Sequence, residues 1–142
     1  MTANTQRWKR ILKVRAVQRQ MAERQLHRCE KELRNLVDLG HRISDIRTAA
    51  QPLPGAQNGM MLRLVCELSS RLDSAQRALA TPNRNAQEAR NRQQHAVITA
   101  RQRETAIEKI AANVAAQDAK HAVDRQNRAA IFRKAAKSEI IS

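Results

Sequence analysis

The groups in this chain that could do chemistry are few and scattered. His27, His41, His95 and His121 share no metal-ligand spacing with Cys29, Cys66 or a carboxylate. There is no Gly-rich phosphate loop and no His-Glu-x-x-His run. Glu30 and Glu32 stand two apart, so on a helix they face different directions and suit ion pairs with Arg28 or Arg34 better than shared acid-base work. The expectation is a protein that is not an enzyme, with no cofactor, no metal and no small-molecule substrate. What remains is binding chemistry, carried by guanidinium and ammonium groups.

Lys and Arg number 27 against 13 Asp and Glu, a formal charge of +14. Residues 7 to 19 hold Arg7, Lys9, Arg10, Lys13, Arg15 and Arg19 without one acid, and Lys120, Arg125, Arg128, Arg133, Lys134 and Lys137 form a second run. Such a field attracts acidic protein surfaces, nucleic acid or anionic membranes. Nucleic acid is an unlikely partner, because the chain has one Trp, one Phe and no Tyr for stacking on bases. No apolar run approaches the roughly 20 residues of a membrane span, and Met1 to Arg10 lacks the apolar centre of a signal peptide. A cytoplasmic protein is expected, with Cys29 and Cys66 as thiols.

The elements that must hold these charges are helices. Only 3 Gly and almost no aromatics leave little for sheets or a globular core, whereas Ala, Arg, Gln, Glu and Leu abound. From Met61 a mostly apolar stripe steps four residues, then three, through Val65, Leu68, Leu72, Ala75, Leu79, Pro82, Ala86, Ala89, Gln93, Ala96, Ala100, Arg103, Ile107 and Ile110 to Val114. A repeat of 3.5 residues sustained over so many turns is the seam of a coiled coil. A second seam runs from Ala22 through Leu26, Cys29, Leu33 and Leu36 to Ile43, with a phase slip between Val14 and Ala22. Gly40 falls on that seam, where simple tolerance is the favoured reading.

The cluster Gln51, Pro52, Leu53, Pro54, Gly55, Ala56, Gln57, Asn58, Gly59 is the one concentrated breaker. The expected fold class is therefore all-α, a long antiparallel two-helix coiled-coil hairpin with unequal helices, in one domain spanning 1–142. Helix one covers about 6–50, capped by Asn4 or Thr5, the turn 51–59, and helix two about 60–137. Folding about residue 55 gives a hairpin on the order of 65 Å long, sets Trp8 near Ala100 or Arg103, and keeps Cys29 and Cys66 too far apart to bond. Pro82 is expected to kink helix two between Ala78 and Pro82. Beyond about Arg103 the second helix, from Glu104 to Lys137, is left as an overhang with an uncovered stripe that includes Ala119, Ala122, Ala129, Phe132 and Ala136. Near the turn, Met60, Leu62, Leu64 and Cys66 lie off the seam, and Met60, Leu62 and Leu64 mark a docking patch at the hairpin tip.

The run Trp8-Lys9-Arg10-Ile11-Leu12-Lys13-Val14-Arg15, followed by Gln18, Ala22, Leu26 and Leu33, resembles the opening of the flagellar type III export stalk proteins, the FliJ family. A weaker echo lies at Lys120, Val123, Asp124 and Arg128. The chain departs from that family in lacking the acidic residues usual near Arg19 and Gln20, and in having Trp8 where Phe is commoner. The resemblance implies a likeness to the coiled coil of the ATP synthase gamma subunit and a role as central stalk of a hexameric export ATPase. It also implies contact with an export gate membrane protein, escort of export chaperones, and a place at the cytoplasmic face of the inner membrane. The residues expected to meet the ATPase are Trp8, Arg10, Ile11, Arg15, Arg128, Phe132 and Arg133. An injectisome type III secretion stalk and a basic coiled-coil nucleic-acid-binding protein are the alternatives.

Overall fold

The computed structural model describes residues 2–50 and 59–141. These residues are all-α, with three helices and no strand: α1 (Ala3–Ala49), α2 (Gly59–Ala78) and α3 (Ala80–Ile141). The turn expected at 51–59 lies outside the described residues except for Gly59, which opens α2.

The first helix begins earlier than 6. Thr2 caps it: its Oγ1 accepts the backbone N–H of Thr5 at 3.3 Å, and its carbonyl accepts that of Gln6 at 3.2 Å. Asn4 and Thr5, the expected caps, are already helical.

As expected of a helix kinked between Ala78 and Pro82, α2 and α3 are parted by Leu79 alone. Pro82 has no N–H to offer the carbonyl of Ala78, so the last turn of α2 loses a bond there. The ladder nevertheless passes through the junction, with Leu79 N–H to Ala75 O at 3.2 Å and Asn83 N–H to Leu79 O at 2.9 Å.

The chain divides into two compact units, Met1–Met21 with Ile98–Ser142, and Ala22–Val97. In the first unit the covered face of α1 runs Trp8, Leu12, Arg15 and Arg19, and in the second it continues through Ala22, Leu26, Cys29, Leu33, Leu36, Gly40 and Ile43. These steps are four and three throughout. The expected phase slip is therefore absent: Val14, Val17 and Met21 are 53–59% exposed, and arginines fill the covered positions instead.

On the second arm the covered positions include Val65, Ser69, Leu72, Ala75, Leu79, Asn83, Ala86, Ala89, Gln93 and Val97 in one unit, and Ala100, Glu104, Ile107, Ala111, Val114 and Asp118 in the other. The expected stripe is covered at Val65, Leu72, Ala75, Leu79, Ala86, Ala89, Gln93, Ala100, Ile107 and Val114. At five other positions the covered face is displaced by one residue, so that Leu68, Pro82, Ala96, Arg103 and Ile110 are exposed while Ser69, Asn83, Val97, Glu104 and Ala111 are covered. Val97, at 4% exposed, is the most covered apolar side chain described. Asn83 is the cost of this choice, since its Oδ1 is buried and meets no donor among the described residues.

Pairing is also displaced along the chain. Folding about residue 55 would set Arg19 opposite residue 91, but in the first unit it meets Glu104, and Thr5 meets Asp118. In the second unit Arg47 pairs with Asp73 at 2.8 Å and donates to Gln76 at 3.4 Å, not to residue 63. The expectation took the centre of the breaker as the pivot, whereas the pairing follows the polar side chains that must be matched within the seam. Trp8 consequently lies near the level of Ala115, not of Ala100 or Arg103.

Gly40 sits half-buried within α1, and a Cβ built there meets nothing within 4 Å. A close helix approach does not explain it. Gly40→Ala should raise the free energy of unfolding by about 0.5–1 kcal/mol, because alanine costs the helix less backbone entropy. A higher urea midpoint at unchanged slope is the expected measurement.

Candidate functional site

The candidate site is a charged surface, and the first unit holds most of it. Its two segments contain 15 Lys and Arg against 5 Asp and Glu, whereas the second unit contains 12 against 8. A helix carries such an excess only if the side chains reach solvent or a partner, and every described residue after Asp118, from 119 to 141, is exposed. The uncovered part of α3 thus begins at Ala119, not at Glu104. Ile107 and Val114, expected to be uncovered, are half-buried.

At the boundary between covered and uncovered α3, Thr2 and Thr5 both donate through Oγ1 to Oδ2 of Asp118. Thr5 is 6% exposed, so its hydroxyl has to find an acceptor, and the carboxylate supplies it. These two hydroxyl bonds are the main cause of an Asp118 pKa lowered from its ordinary 3.8, with His121 adding to the effect. A depressed carboxylate stabilises the fold fully above its unfolded value and loses that contribution as pH falls through its folded value. The stability of the native chain should accordingly drop below pH 3.8 by more than that of Asp118→Asn. Urea midpoints of both proteins at pH 7 and below pH 3 check this. Around the same carboxylate, Thr2, His121, Asp124, Arg125 and Arg128 line a shallow cleft.

The residues expected to bind the ATPase do not form one cluster. Trp8, Ile11 and Arg15 are half-buried along α1, and Arg15 Nη1 donates to Gln18 Oε1 at 3.1 Å. Arg10, Arg128, Phe132 and Arg133 are exposed, with Phe132 78% accessible. Thr5 is level with Asp118, so Phe132 lies 14 residues farther along α3, about 20 Å beyond that point. Within the second unit, Met60, Leu62 and Leu64 are 47–74% exposed at the start of α2, with Met61 and Leu68 beside them. Cys66 is an exposed thiol and Cys29 a half-buried one.

Three residues that organise the first unit were not singled out from sequence, Thr2, Glu104 and Asp118, and Thr5 was read only as a helix cap. The available signal was their spacing. Glu104, Ala111 and Asp118 continue the heptad line of Val97, but the rival line through Ala96, Arg103 and Ile110 contains more carbon and is the one a purely apolar count selects.

No group of three or more His, Cys, Asp and Glu among the described residues is arranged to hold a metal ion. Among them, too, no helix is long and apolar enough to cross a membrane. Comparison with protein-family models, curated proteins and solved structures finds no match.

Proposed function

We propose that this chain is an antiparallel two-helix coiled-coil hairpin that acts as an interaction protein without catalytic activity, the central stalk of a hexameric type III export ATPase. The hairpin is supported by the pairing within each unit. As position on α1 advances from Thr5 to Arg19, its partner on α3 moves back from Asp118 to Glu104, and Arg47 near the end of α1 meets the arm that follows at Asp73 and Gln76.

The observation that carries the functional reading is the concentration of cations in the unit that contains both helix ends, 15 against 5 acids. A basic rod of this kind suits an acid-lined ring, whose field would steer and orient it. In this reading Arg10, Arg128, Phe132 and Arg133 face the ring, while Trp8, Ile11 and Arg15 hold the shaft together. Met60, Leu62 and Leu64 are left for a second partner such as an export chaperone or the export gate. The flagellar and injectisome apparatus are two settings for the same role. Nucleic acid fits less well, since Trp8 is half-buried and Phe132 is the one other aromatic ring.

Reversing Arg10, Arg128 and Arg133 together to Glu should weaken co-purification with the ATPase on the order of 100-fold and abolish any stimulation of ATP hydrolysis. Arg15 is left intact because it lies in the covered seam. Unchanged capture and stimulation by the triple variant would sink the proposal, and a salt-sensitive gel shift with duplex DNA would replace it.

A further inference from the structure

The end of α3 has a two-sided pattern that a ring contact does not require. Over Ala129–Ser138 a helix turning about 100° per residue places Ala129, Ile131, Phe132, Ala135 and Ala136 within one arc of about 160°. Arg133, Lys134, Lys137 and Ser138 occupy the opposite arc, and only Ala130 crosses over. All ten residues are exposed, Ile131 by 67% and Phe132 by 78%, and Ile140 and Ile141 beyond them are more than 80% exposed. None of the described residues covers the apolar arc.

Charge identifies the kind of partner. Residues 119 to 141 carry six cations, Lys120, Arg125, Arg128, Arg133, Lys134 and Lys137, against Asp124 and Glu139. A second copy of the chain would bring the same cations and be repelled. Nucleic acid would satisfy the cations but leave Ile131 with nothing to bury against. An anionic lipid surface answers both halves of the pattern, taking isoleucine and phenylalanine among acyl chains while headgroup phosphates lie beside lysine and arginine.

We infer that residues 129–138 of α3 form an interfacial helix that binds anionic phospholipid surfaces, with Ile131 and Phe132 inserted and Arg133, Lys134 and Lys137 at the headgroups. The helix lies on the bilayer and does not cross it, as its short apolar arc and flanking charges require. The inference shares Phe132 and Arg133 with the ATPase reading but needs no protein partner, so vesicle binding tests it by itself.

The test is co-sedimentation of the full chain with vesicles of phosphatidylglycerol and phosphatidylcholine, and with vesicles of phosphatidylcholine alone, in physiological salt. Binding is expected only to the anionic vesicles. Lys134→Gln with Lys137→Gln should lower the partition coefficient about 30-fold, and Ile131→Ser with Phe132→Ser should abolish most of what remains. Both changes lie beyond the covered part of α3, so circular dichroism without lipid should match the parent. Failure to bind anionic vesicles would overturn the inference. So would equal binding by either double variant, which would mean simple adhesion of a polycation, or binding to duplex DNA in place of vesicles. Lys134 and Lys137 are outside the set assigned to the ATPase, so the two proposals fail separately.

Discussion

Val97→Asp should destabilise the chain by about 3–5 kcal/mol, whereas Ala96→Asp, one residue earlier, should cost less than about 0.5 kcal/mol. Val97 is 4% exposed and Ala96 is exposed. A carboxylate at 97 would be taken out of water with no partner in the seam, and an unpaired buried charge is among the most damaging changes a helix pair can receive. At 96 the same carboxylate would stay hydrated on a surface rich in cations. Val97→Ala supplies the milder check, with an expected loss of about 1–2 kcal/mol from missing methyl contacts. Urea denaturation followed by far-ultraviolet circular dichroism measures all three. The contrast also decides which heptad line faces α1. If Ala96→Asp were the damaging change, the apolar stripe through Leu68, Pro82, Ala96 and Ile110 would be the true seam.

The second large effect is expected at Arg19 and Glu104, which form an ion pair within the seam with 28% and 14% of their side-chain surfaces exposed. Glu104→Ala removes the carboxylate that Arg19 meets within the seam and should cost about 1.5–3 kcal/mol. The pair as a whole is a different matter, because both charges lost water to reach the seam. Replacing both residues with Leu should recover the loss and leave a chain at least as stable as the parent. A double-mutant cycle separates the two effects. Independent, additive losses in that cycle would show that the pair contributes nothing specific. The Leu–Leu variant should also tolerate other registers, since the pair is one of the few features that distinguishes one heptad alignment from the next.

That role accounts for the displaced seam. In the first unit, a seam through Arg103 would bring two arginines together, Arg19 and Arg103, in poorly hydrated surroundings. The line through Glu104 gives Arg19 an acid, and seven residues twice over it reaches Asp118, which accepts from Thr2 and Thr5. Like-charge repulsion and unmatched hydroxyls cost more than the small apolar area of Ala96 or Ile110 returns. The second unit shows the compromise, because the same phase leaves Leu68 exposed and buries Asn83 Oδ1 without a donor.

Sequence alone was sufficient for the all-α class, the end of α1 near Ala50, the kink beside Pro82 and the covered line from Ala22 to Ile43 in α1. Each follows from local chemistry: helix formers without strand formers, prolines without amide hydrogens, and an apolar repeat on an isolated helix. The tertiary structure decided which of two overlapping heptad lines faces α1, how far the arms slide past each other, and where the uncovered part of α3 begins. Those depend on residues far apart in the chain satisfying one another, as Arg19 does with Glu104 and Thr5 with Asp118. Periodicity measures the preference of one helix for burial, and only the facing helix supplies the charges and hydroxyls that choose between phases.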